Sequence, residues 1–341
     1  MRIAHVMAGA HAGGAELFFE RLVAAQERAG DAVLPVIRRN TARAERLRAA
    51  GLHPVELPFR GALDPFTPLR LRRVVREAGP EVVVAWMSRA ARAAPRGPWV
   101  LLGRLGGFYD LRHFRRCDYL AGNTKGLVRW IVGQGWPAGR VVHLPNFAPD
   151  LQGAAPAALP PGRTVLALGR LHPNKGFDVL VRALALLPPD VRLLLAGEGP
   201  ERPGLEALAR DLGVANRVDM PGWRTDTAAL LAAAVVLAVP SRREPLGNTV
   251  LEAWSAGCAV VAADAEGPAE LIGHGADGLL VPRESPEALA AALRTVLDDP
   301  GLRGQLCAGG RVRFQAGFEE GAVLATWRTT LAEMERRPCA A

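Results

Sequence analysis

Two carboxylates, Glu244 and Glu252, stand with seven residues between them in PSRREPLGNTVLEAW, residues 240–254. An apolar run ends near Ser241, a Pro-Leu-Gly turn follows, and a helical pattern starts at Asn248 or Thr249. The first amides of such a helix lack intrahelical acceptors, and its dipole favours an anion there. Gly247, Asn248 and Thr249 would therefore hold a phosphate. Glu252, a turn further in, would reach a polyol such as a ribose, and Glu244 would stand before the turn. A single Glu in that place would only complement the dipole; a pair around one anion site reads as hydroxyl recognition on both sides of it.

A second loop, LGRLHPNKGFDVL at 168–180, carries Arg170 and Lys175 ahead of a helix. A guanidinium and an ammonium on one loop suit a diphosphate. Two glycine-containing loops can bring backbone close to a ligand: AGAHAGGAELF with Gly13 and Gly14, and AGEGP with Gly199. The first is not G-x-G-x-x-G. Its following strand ends in Arg38 and Arg39 rather than in an acid, so the dinucleotide motif is absent. Trp223, after MPG, would flank a base or sit at the rim of a core.

These loops need rigid elements behind them. Apolar runs of strand length occur at 2–8, 32–38, 54–59, 81–86, 98–105, 118–123 and 140–146. They recur at 164–170, 192–199, 217–222, 235–241, 259–264 and 278–282, with helical patterns between most of them. That rhythm predicts an α/β protein with parallel sheets covered on both faces. The Pro/Ala/Gly-rich stretch 147–163 reads as a linker. It separates two doubly wound, Rossmann-like halves, 1–150 and 151–320, facing across a cleft, with a helical tail over 319–337.

Composition limits the function classes. The chain has 341 residues, 49% hydrophobic and 22% charged, with no apolar stretch of membrane-spanning length. The start does not read as a signal peptide, which predicts a cytoplasmic protein. Cys117, Cys258, Cys307 and Cys339 form no metal-ligand spacing with the seven histidines and read as reduced thiols. Residues 1–150 carry 23 Lys+Arg and 12 Asp+Glu, net +11, whereas 151–341 carry 19 and 22, net −3. The basic half calls for an anionic partner. PLRLRRVVREAG (68–79) interleaves apolar and Arg positions and GGFYDLRHFRR (106–116) mixes aromatics with cations; both would meet anionic headgroups or acceptor phosphates, the alternative being a solvated Arg face. No nucleic-acid motif accompanies the charge.

Taken together, GRLHPNKGFDVLVRAL, LLLAGEGP, EPLGNTVLEAWSAGCAVVAADAEGPAELI and DGLLVP resemble family-four retaining glycosyltransferases of the GT-B fold. GGAE and CDYLAGNTKGLVRWIVGQGWPAGRVVHLPN extend the likeness into the first half. The pattern is similar to bacterial enzymes that build lipopolysaccharide cores and related envelope glycans. The resemblance implies a metal-independent, cofactor-free hexosyltransferase using a nucleoside-diphosphate sugar and a glycan or glycolipid acceptor, peripheral at the inner face of the cytoplasmic membrane.

By the same resemblance, Arg170, Lys175 and Glu244 serve the reaction, with Gly169 beside the cations. Glu252 binds ribose, Leu246, Gly247 and Asn248 hold the distal phosphate, and Gly14 lets the first domain close over the donor. Many relatives have a histidine after the fifth strand, where this chain has Gly106 and Gly107. Arg104, Tyr109 and Asp110 are the candidates to replace it on the acceptor side. The rival readings are a nucleotide-sugar epimerase of the same fold and a non-catalytic nucleotide-sugar binder.

Overall fold

The computed structural model describes residues 1–9, 13–60, 64 and 66–336. Its contacts gather the chain into two units: residues 1–146 with the C-terminal segment from Glu320, and Phe147–Glu319.

The first unit holds β1 (Arg2–Met7), β2 (Ala32–Arg38), β3 (Val55–Leu57), β4 (Val82–Trp86), β5 (Val100–Leu105), β6 (Tyr119–Gly122) and β7 (Val141–His143). They form one parallel sheet in the order β3-β2-β1-β4-β5-β6-β7, with Ile3 of β1 opposite Val33 and Val82. Every residue of β4 and β5 is buried, as expected of strands covered by helices on both faces. Helix starts are chemically marked. Asn40 accepts from the Arg43 amide at 3.0 Å and Thr124 from the Leu127 amide at 3.1 Å.

The second unit holds β8 (Arg163–Leu168), β9 (Val191–Ala196), β10 (Val218–Gly222), β11 (Val236–Val239), β12 (Ala259–Ala263) and β13 (Leu279–Val281). Their order is β10-β9-β8-β11-β12-β13, again parallel. Both units are thus doubly wound α/β sheets, the two Rossmann-like halves expected from the sequence.

Two details differ from the sequence expectation. Residues 147–163 are not a free linker. Phe147 and Ala148 are buried, the Ala148 amide donates to the Phe318 carbonyl at 3.2 Å, and Asp150 takes both arms of Arg311 at 2.6 and 2.7 Å. The stretch is strapped along the second unit, which moves the boundary to Asn146/Phe147. The helix Pro300–Gly317 contains five glycines and shows no clear apolar period. Tertiary contact explains two of them: a Cβ on Gly309 would stand 2.0 Å from the Ala276 carbonyl oxygen, and one on Gly310 2.3 Å from the Trp254 ring. Cys117, Cys258 and Cys307 are free thiols; Cys339 lies outside the described residues.

The helix Glu320–Arg336 belongs to the first unit although it follows the second in sequence. Its Trp327 is fully buried, stacks on Trp86 at 6.4 Å and donates to the Pro145 carbonyl at 3.2 Å. Trp86 in turn donates to Nδ1 of His5, which is sealed in the middle of β1. Burial pulls the His5 pKa down to about 4, against smaller opposing effects of Gln26 and Asp31.

This depression has a stability consequence. Protons bind His5 more readily in the unfolded chain, so its contribution is intact above pH 6.5 and is lost as pH falls from 6.5 towards 4. Between pH 7 and pH 4, denaturant titration should show wild type losing about 3 kcal/mol more than His5→Gln, which keeps an acceptor for Trp86. Parallel pH profiles for the two proteins would contradict the assignment.

Candidate active site

In the second unit the strand order reverses between β8 and β11. Helices leave these two strands towards opposite faces of the sheet, and the loops at their carboxyl ends border the crevice where such sheets bind ligands. Those loops are 169–176 and 240–247.

The first loop turns into Pro173–Lys175, a short 3-10 turn, and then into the helix Phe177–Ala185 through Gly176. Gly176 has φ 62°, a left-handed conformation, and a Cβ there would lie 2.2 Å from the Pro240 carbonyl oxygen. Only glycine fits. The contact sets the two loops side by side. The Asn174 carbonyl accepts from the amides of Arg242 (2.9 Å) and Arg243 (3.2 Å). Arg242 forks onto both oxygens of Asp178 at 2.7 Å, reaches Glu284 at 3.0 Å and donates to the Pro173 carbonyl at 3.0 Å. Its guanidinium holds the Asp178 carboxyl below the usual carboxylate range.

This junction brings Lys175 and Glu244 together. Nζ of Lys175 donates to Oε2 of Glu244, and both side chains are largely buried. Gly169 stands against the lysine: a Cβ there would meet Lys175 Cε at 3.6 Å. Arg170, on the same loop, is exposed and pairs with no acid among the described residues. The Glu244 carbonyl accepts from the Gly267 amide at 2.7 Å, and its amide donates to Glu266 at 3.4 Å.

Gly247 then takes φ 96° and opens the helix Asn248–Ala256. Its carbonyl accepts from the Val250 amide, while the amides of Gly247 and Thr249 meet no acceptor among the described residues. Leu246 is buried beneath the turn, and Glu252 lies four residues into the helix. Glu244 and this amide-rich helix start thus share the loop after β11, and Lys175 reaches Glu244 from the loop after β8.

The glycine loop after β9 packs backbone to backbone on the loop after β8. A Cβ on Gly197 would lie 1.8 Å from the Gly169 carbonyl oxygen, and one on Gly199 2.2 Å from that of Leu171. Trp223, just past β10, is 54% exposed and therefore not a core residue. No ring contact ties it to Lys175 or Glu244.

In the first unit the order reverses between β1 and β4. Gly13 caps the helix Gly14–Arg28 in extended backbone, so its value is space rather than a left-handed turn. The space is taken by Glu16: a Cβ on Gly9 would meet its Oε1 at 2.3 Å, and one on Gly13 its Oε2 at 2.8 Å. Arg43 and Arg89 donate to the Gly9 and Ala8 carbonyls at 2.7 and 3.2 Å. Residues 10–12 lie outside the described residues.

Arg104 requires a correction. It is 2% exposed, enclosed by the rings of Phe18, Trp86 and Trp327, and bonded to Asn146 Oδ1 at 2.7 Å and to the Leu105 carbonyl. Burial lowers its pKa to about 9. It is a core cation and offers no surface to an acceptor. Tyr109 is mostly buried against Phe114, while Asp110 caps the turn Leu111–Phe114 and pairs with Arg112.

Sequence reading missed Arg242, Gly197, Gly267 and Glu16. The signal for Arg242 was its place among three charged residues immediately after a strand. Nothing local marks the close contact of Gly267, whose Cβ would meet the Leu246 carbonyl oxygen at 2.2 Å.

Residues 162–299 match the model of the family described as Glycosyl transferases group 1. The lipopolysaccharide core biosynthesis glycosyltransferase LpsE of Rhizobium meliloti is 34% identical over 97% of this chain and 99% of its own length. The chain belongs to the group 1 glycosyltransferases. Another relative, the lipopolysaccharide core biosynthesis glycosyltransferase LpsD of the same organism, is also 34% identical, over 95% of this chain and 96% of its own. Anabaena Alr3699/HepE, solved in complex with UDP-glucose, shares the fold with a TM-score of 0.84 at 23% identity, covering 98% of this chain and all of that one. The crevice between β8 and β11 is therefore the candidate active site of a glycosyltransferase.

Gly267→Ala should push the Leu246–Gly247 turn out of place. We expect kcat/KM for the donor to fall about tenfold or more with a smaller change in melting temperature, as for mispositioning of catalytic groups by a remote change. Gly204→Ala, where a Cβ meets nothing within 4 Å, serves as the matched control.

Proposed function

We propose that this glycosyltransferase moves a hexose-type sugar from a nucleoside diphosphate, UDP-glucose being the first candidate, to a hydroxyl of a lipopolysaccharide core or related envelope glycan. The anomeric configuration is retained, and neither metal nor cofactor takes part. The observation that carries this reading is the meeting of Lys175, Glu244 and the start of the helix Asn248–Ala256 at one crevice. The acceptor class is supported by the two lipopolysaccharide-core relatives that match nearly the whole chain, and the donor by the HepE complex.

In this reading the diphosphate lies on the amides at the start of Asn248–Ala256, with Lys175 and Arg170 as counter-ions and Glu252 on the ribose. As the bond from the anomeric carbon to phosphate breaks, negative charge grows on the leaving oxygen. The ammonium, held by Glu244, and the helix dipole are in place to stabilise it, and Arg170 adds a second positive charge. The acceptor oxygen bonds to the anomeric carbon on the face the phosphate leaves, and its proton passes to the departing phosphate. Glu244 orients the lysine and takes sugar hydroxyls; it makes no covalent bond to the sugar. Cations of the chain thus occupy the role a divalent ion would otherwise fill.

Lys175→Ala should lower kcat by about 100-fold or more while donor affinity changes less than about tenfold. Turnover that survives the change would remove the lysine from the mechanism. EDTA should leave the rate unaltered, and NMR of the product should show the donor's anomeric configuration; a metal requirement or an inverted product contradicts the corresponding part of the proposal.

We further infer a peripheral position at the inner face of the cytoplasmic membrane. The helix Phe66–Ala78 buries Leu71 and Val75, and leaves Phe66 (68%) and Leu69 (67%) exposed beside Arg70, Arg73 and Arg76. Apolar side chains flanked by guanidinium groups match an anionic interface. No described helix is long and apolar enough to cross a membrane. Vesicles containing phosphatidylglycerol should sediment the protein at low salt, and Phe66→Ser with Leu69→Ser should weaken binding about tenfold or more. Equal binding by the double variant would rule out this helix as the contact.

A further inference from the structure

We propose that the first unit carries a subsite for an anionic sugar ring of the acceptor glycan, in a cavity between the loop after β5 and the helix Lys125–Gly133. The assignment of a glycan acceptor rests on the function proposed above; the subsite rests on the following geometry.

The cavity has a volume of about 630 Å³, within the usual range for ligand pockets of roughly 300–1,000 Å³. Phe108, Tyr109, Trp130 and Trp136 give it aromatic walls. Phe108 is 44% exposed and meets Trp130 edge-on at 5.3 Å, so a large ring is left on the surface rather than folded into the core. Aromatic faces and edges of this kind pack on the C–H surfaces of a sugar ring while leaving its hydroxyls to polar partners.

The polar groups of the cavity specify charge. Asp110 and Arg112 neutralise each other, with Oδ2 and Nε at 2.8 Å, and hydrogen bonds from Arg112 hold the Asp110 carboxyl down at about 2. Arg115, also lining the cavity, is exposed and has no acidic partner among the described residues. Its planar fork is suited to bidentate capture of a carboxylate or phosphate. The Trp136 indole N–H is shielded from solvent yet meets no acceptor among the described residues. A buried donor left in that state is costly, and because the Trp136 side chain lines the cavity its N–H reports on a ligand seated there.

A neutral sugar would leave Arg115 without a counter-charge. A bare phosphate would leave the aromatic walls unexplained. A ring carrying a carboxylate or a phosphate ester uses both. None of these side chains belongs to the Lys175–Glu244 site in the other unit. The cavity would therefore select the acceptor independently of the donor.

The test is an NMR titration of the full chain with ¹⁵N-labelled tryptophan, the Trp136 indole signal being assigned with Trp136→Phe. The probes are methyl β-glucuronide, glucose 6-phosphate, methyl β-glucoside and inorganic phosphate. The Trp136 resonance should move with the two anionic sugars, and at least about tenfold more weakly, if at all, with the other two, as expected when a bidentate charge partner is lost. Response to only one of the two anionic sugars would identify the anion. Arg115→Ala should weaken the response by a similar factor, and Arg115→Lys should restore part of it.

No movement with either anionic sugar overturns the subsite, as does an equal response to the neutral glycoside or to phosphate alone. A thermal shift with UDP-glucose on the same samples reports the donor reading separately. A donor shift with a silent Trp136 refutes the subsite alone. A moving Trp136 without any donor shift supports the subsite and counts against UDP-glucose as donor.

Discussion

The carbonyl oxygen of Pro240 lies where a side chain on Gly176 would begin. That single contact between backbones sets the distance between the loops after β8 and β11, and much of the candidate site inherits its geometry from it. With the loops so close, the Asn174 carbonyl reaches two amides of the facing loop, and Arg242 can bind Asp178, Glu284 and the Pro173 carbonyl together. Such bidentate, charge-assisted bonds are directional as well as strong, so they fix orientation as well as proximity. Lys175 is the next residue along from this clamp. Its stem is held by Gly169 on one side, and its ammonium is taken by Glu244 on the other.

The same arrangement places charges of both signs where the sheet leaves a crevice. An ammonium and a carboxylate shielded from bulk water attract strongly, yet neither is neutralised for a ligand that offers better geometry. In the proposed reading a diphosphate presents more negative charge than one carboxylate, and the amides of Gly247 and Thr249, which meet no acceptor among the described residues, add donors that Glu244 does not use. On that reading the pair keeps the lysine aimed without closing the site. Catalysis by prearranged charge depends on dipoles and cations that need not move when charge develops. A network anchored in backbone contacts meets that condition better than one built on long surface side chains.

The first unit is ordered by a different device. Its core encloses Arg104 among three aromatic rings, one of them Trp327 from the helix that returns after the second unit. A buried guanidinium is costly unless it is bonded and its charge is met by polarisable surfaces. Asn146, the Leu105 carbonyl and the rings supply that. The last residue of the N-terminal segment of this unit and its C-terminal helix thus converge on one buried cation. This explains why residues 1–146 and the chain from Glu320 make one unit, although 173 residues separate them.

Much of this protein was legible in its sequence. Near-continuous Val, Leu and Ala runs such as those of β4, β11 and β12 read as strands covered on both faces, and the thirteen strands among the described residues all overlap the predicted runs. The residues proposed for the donor side could also be picked out, because a glycine before a helix start and cations on post-strand loops carry their chemistry locally. Arg104 was misread for the opposite reason. A cation after a strand looks the same in a sequence whether it faces solvent or a box of aromatic rings, and the decisive ring, Trp327, is 223 residues away. Residues 147–163 looked like a linker because their composition has no period, while their order comes from Phe318 and Arg311. Sequence by itself determined the α/β rhythm, the places of the post-strand loops and the kinds of group on them. Only the tertiary structure decided which loops touch, that Lys175 and Glu244 form a pair, and that Arg242 and Gly267 support them, since these contacts are made between strands adjacent in the sheet and distant in the chain.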